Sequence, residues 1–539
     1  MTPDKLIGPD GPASPGAAAP NGAEFAPAPE DPSDKRPSTA GMTTKVVKGS
    51  LWTLAGQVAP LAVSLVTTPF TIRLLGAEGY GVLILVGLIP TYLGFADFGM
   101  SMASTKFGSE AYGEGDEEKE GRVVRTAALI ALMSSVPVAA LLIIFAGSVI
   151  GLFNVPPDYV AEATLALRLA AVTFVINILC SIFNTPQLAR LRMDLNTLIN
   201  AVPRILGLIA TPIVIYLGYG IVGAITVLLL ASTINLTGHL IVSSRLLRHL
   251  RDYTFAPAMA RNLLRFGASL VLVGVAAILL SNLEKLALAY VAQVEILAFY
   301  TVAFTLANIA TMFSVAMRQS LIPAFAQLTT PAKRSQLNDL FARASRLTIL
   351  AFLPVGTVLF IAAESLITLW AGREFGVEST VPFYILLVGL LFNLIAYIPH
   401  SVLLAAGRAD SLAKVYWIEL VPHVLVIALL TSLFGAIGAA VAWTTRVFVD
   451  AVLLSYLARR LEGVELNVFP NGLYTLLFAC LGLMAPIAVY LAVEGIYGVV
   501  VAATGLSLLF YIMIVWRRLL RSEELAWIRA RFERLTWHA

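Results

Sequence analysis

The chain has 539 residues, of which 58% are hydrophobic and only 13% charged, with a mean hydropathy of +0.84. A soluble domain carries roughly 25% charged residues, so this much apolar material cannot be hidden in a water-soluble core. The soluble globular classes are thereby excluded, and a polytopic membrane protein is expected. Long apolar runs without strict period-two alternation select helices over a barrel.

In chain order, residues 1–44 are rich in Pro, Ala and Gly and hold no long apolar stretch. They predict a disordered tail and no signal peptide. Apolar spans are then expected at about 50–72, 80–104, 124–151, 158–181, 197–217, 219–241, 264–290 and 294–319. Six more are expected at about 345–370, 380–405, 411–431, 434–457, 471–492 and 496–516, each near the roughly 20 residues that cross the hydrocarbon. Between the first two spans, GAEGYG (76–81) predicts a tight turn; it lacks the Lys and setting of a phosphate loop. GSEAYGEGDEEKEGR predicts a solvated connector, and LFGAIGAAVAW marks the turn inside 411–457. Cys180 and Cys480 both lie in apolar runs and predict buried small hydrophobes rather than a disulfide or metal site.

With the amino terminus placed in the cytoplasm, 28 of the 37 Lys and Arg fall on cytoplasmic segments, and only Arg73 and Arg373 fall outside. This is the positive-inside asymmetry, and it supports an even number of spans with both ends in the cytoplasm. External loops such as NVPPDY and YLGYG are very short, so whatever the protein does is expected to happen within the membrane.

A few charges remain at membrane depth. The basic ones are Arg168, Arg204, Lys285 and Arg446; the acids include Asp97, Glu284, Glu419 and Asp450. A lone charge facing lipid costs several kcal/mol, so these groups should face the protein interior or a wet cavity, or snorkel. In SNLEKLALAY, Glu284 and Lys285 are adjacent and point about 100° apart, toward different partners. Lys285 has two open readings, a cavity cation or a structural ion pair. Arg446 and Asp450, in WTTRVFVDAV, share a helix face at i, i+4 and can pair. Arg168 lies in LALRLAAV and Arg204 follows Pro203; either could meet an anionic ligand or serve packing. Asp97, in GFADFGM, could cap or bridge helices, or line an inner gate. His400 and His423 form no metal cluster and predict hydrogen-bonded helix residues.

Twelve spans divide as six plus six with two left over. Six is even, so the halves would enter the membrane in the same orientation, a repeat arrangement suited to alternating access. The predicted organisation is a tail (1–44), two six-helix bundles (45–260 and 261–458), two further helices (459–520) and a short tail (521–539).

Three stretches carry a family resemblance: TPFTIRLLGAEGYGVL (68–83), NILCSIFNTPQLARLR (177–192) and SNLEKLALAYVAQVEILAFYTVAFTLAN (281–308). With them the chain resembles the polysaccharide-exporter flippases, the Wzx-like branch of the multidrug/oligosaccharidyl-lipid/polysaccharide superfamily. The resemblance implies an all-α, MATE-like fold of about 14 transmembrane helices, with two six-helix bundles related by a pseudo-twofold around a central cavity. It implies a polyprenyl-pyrophosphate-linked glycan as substrate, moved from the inner to the outer leaflet of a bacterial inner membrane. Membrane lipids would be further partners, with a glycan polymerase or glycosyltransferases as candidates; no nucleic acid and no cofactor is expected. Glu284–Lys285 matches an acidic-then-basic pair in span seven that is Asp–Arg in many relatives, and Arg73 matches an arginine before the first external turn. Substrate-cavity candidates are Arg73, Arg168, Arg204, Lys285 and Arg446, and gating or coupling candidates are Asp97, Glu284, Glu419 and Asp450. The competing readings are a drug or small-cation exporter of the same fold, a membrane glycosyltransferase or ligase, and a non-transporting scaffold for glycan assembly. An exporter of cations would carry more acids than bases in its cavity, and an enzyme would need larger external loops.

Overall fold

A computed structural model describes residues 39–247, 257–309, 331–466 and 497–519, with short stretches within 321–328 and 468–485. Residues 1–38 of the tail expected at 1–44 and most of the span expected at 471–492 lie outside these residues, while 39–44, expected as part of the disordered tail, are helical. Among the described residues every element is helical and no strand forms. The first half comprises α1 (Thr39–Tyr92), α2 (Met100–Glu114), α3 (Glu117–Ile144), α4 (Ala146–Ile150), α5 (Pro157–Phe183), α6 (Thr185–Ala189), α7 (Met193–Val214) and α8 (Gly220–Leu246). The second half comprises α9 (Pro257–Val291), α10 (Val294–Ile309), α11 (Arg334–Ala371), α12 (Arg373–Ala405) and α13 (Ala409–Glu462), and α14 (Tyr497–Ile514) follows.

Both α1 and α13 have 54 residues, about 80 Å at 1.5 Å per residue and far more than one crossing needs. Each reverses at a glycine held at positive φ, Gly76 (70°) and Gly435 (54°), a conformation that a side chain disfavours. These are the turns expected at GAEGYG and LFGAIGAAVAW. Each of the two therefore crosses the membrane twice, through a first and a second arm. The end of the bundle richest in Lys and Arg is called the basic end below, and the opposite end the far end.

The connector GSEAYGEGDEEKEGR is mostly solvated, as expected, but it is largely helical. α2 runs through Glu114, and α3 restarts at Glu117 because the Asp116 side chain accepts from the Lys119 N–H at 2.8 Å. Glu117, Glu118 and Glu120 in the first turn suit the positive end of that helix. Glu120 is fully buried and accepts from Arg190 Nη1 at 2.5 Å, while Arg190 stacks over the Tyr112 ring. Burial pushes the Glu120 carboxyl up from its ordinary range, and the Arg190 guanidinium opposes that shift. Arg190→Ala should therefore cost about 3–5 kcal/mol, the penalty of an uncompensated buried charge. The check is a fall in the melting temperature of the purified protein, partly restored by adding Glu120→Gln.

The halves meet along the second arm of α1, which packs against α9 and α10. At the far end, a Cβ on Gly81 would fall inside the Val294 carbonyl group; at the basic end, Gly99 and Gly267 approach backbone to backbone. Side-chain donors clasp main-chain carbonyls across the same interface. Tyr92 Oη donates to Asn282 O at 2.5 Å, Arg73 Nη2 to Leu369 O at 2.9 Å and Trp370 Nε1 to Leu65 O at 2.7 Å. Asn154 Nδ2 donates to the carbonyls of Tyr290 and Ala292, each at 3.2 Å.

Candidate functional site

The second half gathers five of the predicted residues. Glu284 and Lys285 come from α9, Glu419 from the first arm of α13, and Arg446 and Asp450 from its second arm. Reversal at Gly435 folds the two arms together, which brings Glu419 and Tyr416 opposite Asp450 and Arg446. A cavity of about 160 Å³ opens between these elements, lined by Arg446 and Asp450 together with Ser281, Asn393, Tyr397 and Tyr416. His400 also lines it. Arg446 is the hub, within electrostatic reach of Glu284, Glu419, His423 and Asp450.

The expected pairing of Arg446 with Asp450 takes another form. The two share the cavity wall, and Arg446 Nε and Asp450 Oδ1 are both buried without a hydrogen-bond partner. Both carboxylate oxygens of Glu284 and of Glu419 are buried without a hydrogen-bond partner, as is Asp450 Oδ1. The buried Tyr300 hydroxyl lies beside Glu284 and is its nearest candidate donor. Lys285 is half-buried; its Nζ donates to Asn282 Oδ1 at 3.2 Å and sits 4.5 Å from the Phe304 ring centroid. That cation–π contact compensates part of its desolvation. Three carboxylates thus share the interior with two basic side chains, where few hydrogen bonds reach the carboxylates.

The other four predicted residues lie elsewhere. Arg73 clasps Leu369 O at the far end, as described above. Arg168 is exposed, with its Nε 3.3 Å from Ile143 O near the end of α3. Arg204 is exposed on α7. Asp97 is half-buried and caps α2, accepting from Gly99 N at 2.7 Å and from Ser101 Oγ at 2.8 Å. Ser101 in turn contacts Ser181 of α5 at 2.5 Å, so Asp97 both caps and bridges. Among the described residues no group of His, Cys, Asp and Glu is placed to hold a metal ion.

Asp97 also borders a second cavity of about 360 Å³ in the first half. Its walls come from the second arm of α1, from α5 and from Leu228 of α8, and include Thr91, Ser101, Thr173, Phe174 and Asn177. The sequence reading missed these neutral residues, and it missed Tyr300, Asn393, Tyr397 and Tyr416 around the charged cluster. Single hydroxyls and amides on apolar helices carry no spacing that separates a cavity wall from ordinary interhelical glue.

Comparison with known proteins agrees with this architecture. Residues 46–329 match the family model described as polysaccharide biosynthesis protein. A Shigella flexneri protein named "Putative O-antigen transporter" is 23% identical over 434 residues, covering 78% of this chain and all of that protein. The structure of the lipid II flippase MurJ in an inward closed conformation superposes with a TM-score of 0.63 at 14% identity, covering 88% of this chain and 100% of that one. An inward-facing multidrug resistance MATE family transporter of the MOP superfamily gives a TM-score of 0.61 at 16% identity, covering 77% of this chain and 94% of that one. At such identities the structural likeness establishes the fold: an all-helical membrane protein of two six-helix bundles with additional carboxy-terminal helices.

Proposed function

The chain belongs to the polysaccharide biosynthesis protein family, and from that premise we propose that it flips a polyprenyl-pyrophosphate-linked oligosaccharide from the cytoplasmic to the outer leaflet for cell-surface polysaccharide synthesis. One observation carries the reading: Arg446 and Asp450 line a cavity in an otherwise apolar bundle, with Glu284 and Glu419 buried within reach of Arg446 and Lys285 beside Glu284. The barrier to flipping is the passage of a pyrophosphate and a sugar chain through hydrocarbon. A polar interior removes most of that cost, while the polyprenyl tail stays in lipid. Lys285 and Arg446 are the cations offered to the pyrophosphate; Arg73, Arg168 and Arg204 are candidates for contact as it enters or leaves. No bond is made or broken, so no catalytic group is required.

The excess of carboxylates over cations fits ion coupling. Charge balance in a low-dielectric interior calls for one more positive charge, a proton or a small cation, on Glu284, Glu419 or Asp450. Asp97 is a gating candidate through its link between α2 and α5. In the proposed orientation both termini face the cytoplasm of a bacterial inner membrane, and a glycan polymerase or glycosyltransferases are candidate partners.

The same excess favours a second reading, a small-cation exporter of this fold. Translocation in proteoliposomes separates the two. Wild type is expected to move a pyrophosphate-linked glycolipid faster than empty vesicles do, and folded Lys285→Ala to fall toward the empty-vesicle rate. Efflux of an organic cation without glycolipid movement across several candidate lipids would replace the flippase reading with the exporter.

A further inference from the structure

The cavity of the first half has a chemistry of its own. No Lys or Arg lines it. Its one acid, Asp97, is already committed to the N–H groups of Gly99 and Ser101 and to the Ser101 hydroxyl. A pyrophosphate finds no counter-charge there, and an organic cation finds no free carboxylate.

What the walls do offer is neutral and paired in character. Asn177 is exposed at the cavity and, among the described residues, its side chain has no hydrogen-bond partner; an amide supplies two donors and an acceptor. Thr91 is exposed and donates to Gly87 O at 3.3 Å, which leaves its oxygen free to accept. Beside Asn177 on the same face of α5, Ala170, Phe174 and Ile178 supply an apolar surface. Gly87, Pro90 and Thr91 recur at i, i+3 and i+4 on α1, with Gly94 just past its end, and this side of the cavity carries no long side chain. At Gly87 an added Cβ would meet nothing within 4 Å. The space on that side is open to a ligand.

From these features we infer that the first-half cavity is a saccharide subsite, taking a neutral sugar ring of the transported glycan. A pyranose presents hydroxyls that both donate and accept around weakly apolar ring faces. A few convergent neutral polar groups over an apolar floor are the matching surface. At about 360 Å³ the cavity has room for such a ring with water around it. The inference rests on the flippase reading above and divides its labour: the second half handles charge, and the first half reads the sugar.

The test uses binding and transport side by side. A Gly87→Cys variant, with Cys180→Ala and Cys480→Ala, is reconstituted in nanodiscs and labelled with a maleimide. Labelling is timed with bare polyprenyl pyrophosphate and with the same lipid carrying a hexose, an N-acetylhexosamine or a hexuronic acid. At least one neutral sugar is expected to slow labelling about fivefold or more beyond the bare lipid, with the hexuronic acid no better than the bare lipid. Asn177→Leu, added to that variant, should remove the protection while leaving the melting temperature unchanged. Equal protection by every lipid, or by none, would overturn the subsite. Translocation of the same lipids is measured on wild type in proteoliposomes. Sugar-dependent protection without translocation would sink the flippase reading and keep the subsite; translocation without sugar-dependent protection would do the reverse.

Discussion

Replacing Arg446 with Met is expected to reduce glycolipid translocation by at least about a hundredfold. Among the described residues Arg446 is the one guanidinium within reach of Glu284, Glu419 and Asp450 together. Removing it strands buried carboxylates, at a cost of about 3–5 kcal/mol, and each 1.4 kcal/mol is about tenfold in an equilibrium constant. Part of that loss would be stability. Adding Asp450→Asn removes one negative charge with the positive one and should return the melting temperature toward wild type. Under the proposed function transport should stay lost, because a pyrophosphate would still lack this cation and the cluster one of its acids. Wild-type translocation by the single variant would remove Arg446 from the transport cycle.

The second large effect concerns the interface between the halves. Its two glycine contacts sit at opposite ends, Gly81 against Val294 and Gly267 against Gly99 and Phe98. A side chain at either position must push backbones apart, toward the 8–10 Å spacing of ordinary helix pairs. Gly81→Leu is expected to widen the far end, and Gly267→Leu the basic end. Spin labels at positions 78 and 374 report the first, and labels at 112 and 261 the second. Each variant should lengthen its own distance by about 2 Å or more and leave the other unchanged or shorter. Translocation should fall in both, because alternating access needs both ends to close. Parallel lengthening of both distances in both variants would argue for loosened packing and against a rocking interface.

Much of this architecture could be read from the chain. Apolar length was enough for the long helices among the described residues, and GAEGYG and LFGAIG marked two reversals, because apolar length and glycine-dependent φ are local properties. The charged cluster was half legible. A Glu or Arg inside an apolar run announces itself, but which of them meet depends on helix rotation and on pairing between distant helices. That is why Arg446, Asp450, Glu419 and Glu284 converge while Arg168 and Arg204 lie on exposed faces. Glu120 misled in the other direction. In a charge-rich connector it read as solvated, and only the return of α6 places Arg190 against it. Asn177 and Thr91 were not legible at all, since a single amide or hydroxyl on an apolar helix reads the same whether it lines a cavity or bonds a neighbouring helix.

The clasps across the interface share one trait: the acceptors at Leu65, Asn282, Tyr290, Ala292 and Leu369 are all main-chain carbonyls. Such a fastening reads helix register, not the identity of the facing side chain. Asn282 also holds Lys285 through its side chain, but at the other four positions these contacts constrain only the backbone, provided that no insertion or deletion shifts the helix beneath the donor. The donors Arg73, Tyr92, Asn154 and Trp370 carry the rest of the constraint, so substitutions on the facing helices can accumulate without redesigning the seam between the halves.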